Sequence, residues 1–378
     1  MAANRGEWAE LYVLFKLLGE GKIYAADENL NINTESYLDV LRIFREEANN
    51  VITEYRTGLN VDIYIGNVLA ISIPATEFVR NADLLLHTIT TSTGRSFDAL
   101  QETKDFMHSA KIHSVKAKNI SSFHNIGGKN DIVMEVRDHT MSLVYIAGFS
   151  IKAKGKSPAT LFNTAKASAF VYKLNNVTAA DVDSINSLFT DKGGKDKNAR
   201  MDYIRNHNIG LEFVGNKILP NNTYSVFADN LDMIRGDMQA IWNQVLLIHY
   251  MSTERNKTAL ADICNILADQ NPLNKRNPHA FYEKAIKDFL YAAFSGMTAS
   301  LRWDGQEAVN GGYIVAKDNG DVLVYHTRSG EAFKSFLFAT TKIDRPEASE
   351  NKGYPYAHIY ESCGEYFIDL NFQVRFIQ

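Results

Sequence analysis

Cysteine is nearly absent from this chain of 378 residues. Cys264 and Cys363 stand far apart, and no Cys-x-x-Cys occurs. That spacing excludes a structural zinc site of the ordinary kind and a disulfide framework, and it suits a reducing compartment. No Gly-x-x-x-x-Gly-Lys-Ser/Thr occurs, so no phosphate loop for ATP is expected. Internal repeats, low-complexity linkers and apolar runs long enough to span a membrane are also missing. The opening stretch "MAANRGEWAELYVLFKLLGEGK" is apolar but broken by acids, and no small-residue cleavage site follows, so it reads as a helix and not a leader peptide. The expected protein is soluble, intracellular and cytoplasmic. Its net charge of −4 excludes a chain that is basic all over. A DNA partner stays open, because positive charge can be gathered in one cleft.

What is present is a full core. Apolar residues make up 45% of the chain and charged residues 22%, the balance of a large globular domain or two ordinary ones. The first helix is expected from about Glu7 to Leu18, stopped by Gly19 and Gly21. Trp8, Leu11, Tyr12, Val13, Leu14, Phe15, Leu17 and Leu18 cover nearly all of its circumference, which predicts burial on every side. "NVDIYIGNVLAISI" and "GYIVAKDNGDVLVYHT" carry hairpin signals, Gly66-Asn67 and Asn319-Gly320. Helices are expected near 76–89, 96–109, 226–255 and 278–295. "KSPATLFNTAKASA" predicts another, with Ser157 as N-cap and Pro158 at its first position. "AFVYKL" and "YFIDLNFQVRFI" read as strands. The fold expected is α+β: a central mixed β-sheet flanked by helices, with an additional helical lobe and C-terminal antiparallel strands. Residues 1–190 are the expected catalytic core, and 191–378 the helical lobe and C-terminal β region, packed on the core and reading DNA.

The chemistry gathers in "DIVMEVRDHTMSLVYIAGFSIKAK", residues 131–154. A turn near Thr140–Met141 sets Asp131 opposite Ser150 with Lys152 diagonally beside it, and Ser150, Lys152 and Lys154 on one face. A carboxylate and a strand carbonyl there could hold Mg²⁺, and a lysine could orient the attacking water and offset charge on a phosphodiester. The plainer reading of the same spacing is a solvated edge hairpin. From His139 to Ala180 the chain holds Lys152, Lys154, Lys156, Lys166 and Lys173 and no acid, which favours an anionic ligand. The Ser157-Pro158 helix start would offer its N–H groups to a phosphate. Glu7 and Glu10 lie on the first helix; either could complement the helix dipole, and Glu10, further in, is the better metal candidate. A Ser–Lys acyl hydrolase lacks its glycine-rich nucleophile turn, and His124 and His207 lack the paired residues of a His-Asn-His nuclease.

The acid, the spacing to a strand ending x-x-Lys and the upstream Gly6-x-x-x-Glu10 together resemble the PD-(D/E)xK nuclease superfamily. More narrowly, "RGEWAELYVLFKLLGEGKIYAAD", "GFSIKAKGKSPATLFNTA" and "LNFQVRF" are similar to the HpaII-like type II restriction endonucleases, from the first residues to the last. The resemblance implies a Mg²⁺-dependent endonuclease that cuts both strands of double-stranded DNA at a short palindrome, with C-C-G-G the family's target. It implies Asp131, Glu10 and the Ile151 carbonyl as metal ligands, Lys152 as the catalytic lysine, and Ser150 where the superfamily often has an acid. Glu135 and Asn163 stand behind Glu10 as substitutes for that acid. Lys154, Lys156, Ser157 and Asn163 would meet DNA. In "TTKIDRPEASENKGY", Asp344, Pro346 and Ser349 keep the family's pattern in changed company, and Lys342, Arg345, Asn351 and Lys352 could read bases. A homodimer and a cognate DNA methyltransferase follow from a palindromic target and from the family, with no membrane partner. The alternative is a non-catalytic DNA-binding protein on a decayed nuclease fold.

Overall fold

A helix that is apolar all round needs cover on every side, and the first unit of the fold is built to give it. The computed structural model describes residues 2–46, 51–94, 96–117, 130–139, 142–154, 160–188, 195–253, 258–305, 311–326, 330–345 and 358–377. The chain divides into two compact units, residues 1–157 with 307–336, and residues 158–306 with 337–378.

In the first unit the helix Arg5–Glu20 starts on a capping box between Asn4 and Glu7 and ends at Gly21, which takes the left-handed conformation (φ 66°). Gly19 lies inside this helix instead of ending it. A Cβ there would stand 2.6 Å from Val79 Cγ2 and 2.9 Å from its backbone nitrogen, so the glycine lets the helix Ala75–Thr91 approach closely. On the other side the first helix meets a mixed sheet. Among the described residues its order is Lys22–Ala26, Val322–His326, Gly312–Lys317, Leu143–Lys154, Ile132–Asp138, Ile32–Glu46, Ile52–Arg56, Asn60–Ile65 and Val68–Pro74. Lys22–Ala26 also pairs with Ile32–Glu46, which closes the first six strands into a ring. Gly312–Lys317 runs parallel to Leu143–Lys154, and Val322–His326 parallel to Lys22–Ala26; the other pairs are antiparallel. Trp8, Leu11, Phe15 and Leu18 share one buried cluster with Ile132, Met134, Val136, Ala147, Phe149 and Ile151.

The second unit combines two smaller antiparallel sheets with helices. Gly210–Asn216, Phe170–Asn175, Glu365–Leu370 and Ile359–Ser362 form one sheet, and Thr160–Phe162, Gln373–Phe376 and Thr341–Asp344 the other. Its core is aromatic: Trp242 lies 4.1 Å from Phe289 and 4.6 Å from Phe372, centroid to centroid.

Both expected hairpins form. The helix expected over "KSPATLFNTAKASA" does not: Thr160–Phe162 is a strand and Lys166–Ser168 a short 3-10 turn. Pairing with Gln373–Phe376, distant in sequence, overrides the local helix signals there. The expected helix 226–255 is two, Val226–Ile234 and Met238–Met251, parted at Arg235-Gly236-Asp237. The one near 96–109 is Gln101–Ser109, because Ser96–Asp98 pairs with Ala2–Asn4. No helix among the described residues is long and apolar enough to cross a membrane.

Two adjacent glycines seat the strand beside the lysine strand. A Cβ on Gly311 would lie 2.7 Å from the Phe149 ring and 2.8 Å from the Gly148 carbonyl oxygen. On Gly312 (φ 132°) it would lie 2.2 Å from the Tyr325 carbonyl oxygen. Gly312→Ala is therefore expected to destabilise the protein by about 2–3 kcal/mol, combining backbone strain with overpacking. A urea melt checks this, and an unchanged midpoint would refute the close approach.

Candidate functional site

The hairpin register places the acid. Ile132 pairs with Phe149 and Met134 with Ala147, so Asp131, one residue before its strand, stands opposite Ser150. Its N–H donates to the Phe149 carbonyl at 2.9 Å. One oxygen of its carboxylate, Oδ2, accepts from the Ser150 hydroxyl at 2.9 Å and from the Ile151 N–H at 2.7 Å. Among the described residues nothing donates to Oδ1. Two donors on one oxygen fix the rotation of the group and leave the other oxygen for a ligand. Ser150 and Ile151 are buried, Asp131 is half-buried and Lys152 is exposed.

Backbone alternation adds an acceptor. The Phe149 carbonyl faces the Asp131 strand, and the Gly148 carbonyl takes the Gly311 N–H at 3.0 Å on the opposite side. Two residues beyond Phe149, the Ile151 carbonyl therefore turns to the edge where Asp131 stands.

Glu10 faces the same place from the first helix. Burial raises its carboxyl to about 7, and the negative charge of Asp131 is the next cause, with a smaller push from Glu7. Two lysines act in the opposite sense, Lys116 more strongly than Lys152. Among the described residues no hydrogen-bond donor meets Glu10. Glu7 is occupied by the helix cap: Asn4 N–H donates to its Oε2 at 2.9 Å. Glu135 is excluded as the completing acid, because Arg42 Nε and Nη2 hold its two oxygens at 2.7 Å each. Asn163 is exposed and belongs to the second unit.

The donor set that meets here is two carboxylates and a strand carbonyl, all hard oxygens, which fits a small divalent cation that keeps part of its water. Among the described residues no group of three or more His, Cys, Asp or Glu is spaced to hold a metal by itself, so carbonyl, water and phosphate oxygens must complete any shell. Glu10, which meets no donor among the described residues, and the like charge of Asp131 acting on it are the observation that fits such an ion.

The remaining expected contacts are scattered. Lys156, Ser157, Asn351, Lys352 and the side chain of Lys154 lie outside the described residues. The phosphate seat expected at Ser157 lies outside the described residues, and Thr160–Phe162 beyond it is a strand. Lys342 and Arg345 belong to the second unit. Lys342 is half-exposed on the strand Thr341–Asp344. Arg345 stacks on Tyr250 (4.8 Å to the centroid), donates to the His249 carbonyl at 2.7 Å and bonds Asn198, a brace at the end of a helix. Lys116 escaped the reading of the sequence: it stands outside the acid–lysine hairpin, and no spacing rule points to it.

A profile of the HpaII restriction endonuclease family matches residues 4–376. The type II restriction enzyme HpaII of Haemophilus parainfluenzae is 32% identical over 380 residues, covering 100% of this chain and 99% of that protein. No solved structure matches.

The raised Glu10 carboxyl has a measurable sign. Between about 4.5 and about 7 the folded chain binds a proton that the unfolded chain has released, so stability falls as pH rises through that window. Glu10→Gln is expected to match the parent near pH 4.5 and to exceed it at pH 8. The excess should be about 1–2 kcal/mol after discounting for the exposed part of the side chain. Thermal melts at the two pH values check this. An excess that is the same at both would detach Glu10 from the acid pair.

Proposed function

The chain belongs to the HpaII restriction endonuclease family, and we propose from that premise how its residues do the family's work. It is a site-specific deoxyribonuclease. The finer reading is a type II enzyme of PD-(D/E)xK chemistry that uses Mg²⁺ to cut both strands of a short, C-C-G-G-like palindrome. The observation that carries it is the meeting of Asp131, locked through one oxygen by Ser150 and Ile151, with Glu10, which meets no donor among the described residues.

In this reading Asp131, Glu10 and the Ile151 carbonyl would hold the cation. The chemistry that Mg²⁺ supplies when bound is a more acidic water and positive charge beside the phosphate. Lys152 orients the attacking water and offsets the charge that grows on the phosphoryl oxygens. The bond from water to phosphorus forms as the bond to the departing sugar oxygen breaks. That oxygen takes a proton from solvent, and the attacking water's proton leaves to solvent, so the exchange balances. Ser150 works as a donor that sets the angle of Asp131. Asn163, Lys154, Lys156, Ser157, Lys342, Asn351 and Lys352 are the proposed DNA contacts, with Arg345 a weaker one because its guanidinium is already engaged. A two-fold target suits a homodimer, and a cognate methyltransferase in the same cytoplasm would protect the host's own sites.

Ser150 in an acid's place also favours a second reading, a DNA-binding protein that no longer cuts. One experiment separates the two: unmethylated phage DNA with Mg²⁺ or with EDTA, using the parent, Asp131→Asn and Lys152→Ala. Discrete fragments that need Mg²⁺ are expected from the parent. Each variant should cut at least about 100-fold more slowly while still binding in Ca²⁺. Intact DNA in every lane, with binding retained, would leave the second reading standing.

A further inference from the structure

We propose that the open face of the three-stranded sheet in the second unit reads G·C base pairs, an inference that rests on the nuclease reading above. The sheet orders Thr160–Phe162, Gln373–Phe376 and Thr341–Asp344. Thr341, Ile343 and Val374 are buried, whereas Lys342, Asp344, Gln373 and Arg375 are half-exposed. Side chains alternate along a strand, so those four share one face. The register then fixes their neighbours: Lys342 stands opposite Arg375 and Asp344 opposite Gln373, with Thr160 beside Arg375 on the other side. The strand of Lys342 is held at its second edge as well. The Ile343 N–H donates to the Thr258 carbonyl at 2.9 Å, and Ala259 bridges Lys342.

Two cations directly opposite each other, with Cβ atoms about 4.5–5.5 Å apart, destabilise a sheet. One carboxylate shares the face with them. Asp344 lies diagonal to Arg375, its Oδ2 3.6 Å from Nη1, and its Oδ1 accepts from the Arg345 N–H at 2.9 Å. Among the described residues the Lys342 ammonium makes no ion pair and the Gln373 amide no hydrogen bond. The face therefore carries a surplus cation and unspent hydrogen-bonding groups on a fixed backbone, the complement of an anionic partner with its own donors and acceptors. The major groove of a duplex is such a partner, and it admits a β-ribbon. Guanine shows it two acceptors, N7 and O6, which suit Arg375 and Lys342; cytosine shows the N4 donor, which suits the Asp344 carboxylate. Asp344 also decides between base and backbone. A grip on phosphate needs cations alone, and a carboxylate among them would repel it, whereas a G·C edge needs both signs.

The test measures binding of the full chain in Ca²⁺ to three duplexes: one centred on CCGG, the same with 7-deazaguanine for the guanines of the site, and one with A·T pairs at the centre. The proteins are the parent, Lys342→Ala, Arg375→Ala and Arg375→Lys. The parent is expected to lose about 10-fold or more on 7-deazaguanine, which lacks the N7 acceptor. Each alanine variant should lose about 10–100-fold on the CCGG duplex and little on the A·T one. Arg375→Lys should keep the salt dependence of the parent but not its discrimination, because a lysine keeps the charge and loses the fork. A parent indifferent to 7-deazaguanine overturns the inference, an arm that needs no variant to fold. Variants that weaken equally on every duplex overturn it too, since the face would then hold phosphate only. Thermal melts identify a variant that fails to fold; Lys342→Ala, which removes no ion pair, then carries the comparison. Cleavage by the parent in Mg²⁺ is scored apart. Discrimination through this face without cutting refutes the nuclease reading alone, and cutting with discrimination intact in the folded variants refutes this inference alone.

Discussion

The burial of the first helix governs the rest of the structure. A helix with apolar residues on nearly all sides cannot lie on a surface, and here a sheet covers one side while the helix Ala75–Thr91, admitted by Gly19, covers another. Glu10 lies on that helix. A polar group on an element so deeply packed is desolvated by the packing that stabilises its neighbours, and Asp131 adds like charge. The tension at the acid pair is therefore a consequence of the core. Removing the carboxylate would ease the fold, and on the proposed reading it would also remove a metal ligand, the trade expected where a site is built for function.

Much of the hairpin was legible because strand geometry is local and periodic. Side chains alternate, and a turn expected near Thr140–Met141 sets Asp131 opposite Ser150, the register that the pairing of Ile132 with Phe149 carries. The first helix was legible from its apolar circumference. Other features depend on partners far away in sequence. Gly312–Lys317 lies parallel beside the Lys152 strand, and no turn signal can announce a parallel neighbour. Thr160–Phe162 follows a Ser-Pro start that favours a helix, yet pairing with Gln373–Phe376 decides its state. Buried Ala110, Ile112 and Val115, which join the cluster of the first helix, read in the sequence as ordinary apolar residues.

Ser150 shows how a departure from a pattern can be absorbed. A second carboxylate at that position would stand against Asp131, as close as the 2.9 Å hydrogen bond now found there. The hydroxyl turns a repulsion into a donor, and the Ile151 N–H shares the same oxygen. On the proposed reading the second acid then comes from a helix instead of the strand. The site gains rigidity on the hairpin and relies on helix–sheet packing to bring Glu10 up to it.

The order of strands also sets the order of manufacture. Asp131, Ser150 and Lys152 leave the ribosome early, but the strand that flanks Lys152 is encoded at 312–317 and its hairpin mate at 322–326. Until those residues emerge, the lysine strand is a bare sheet edge and the ring of strands is open. A chain halted before that point carries Asp131, Ser150 and Lys152 without the strands that frame them. The hairpin that carries Asp131, Ser150 and Lys152 is therefore flanked on both sides only after most of the chain has been translated.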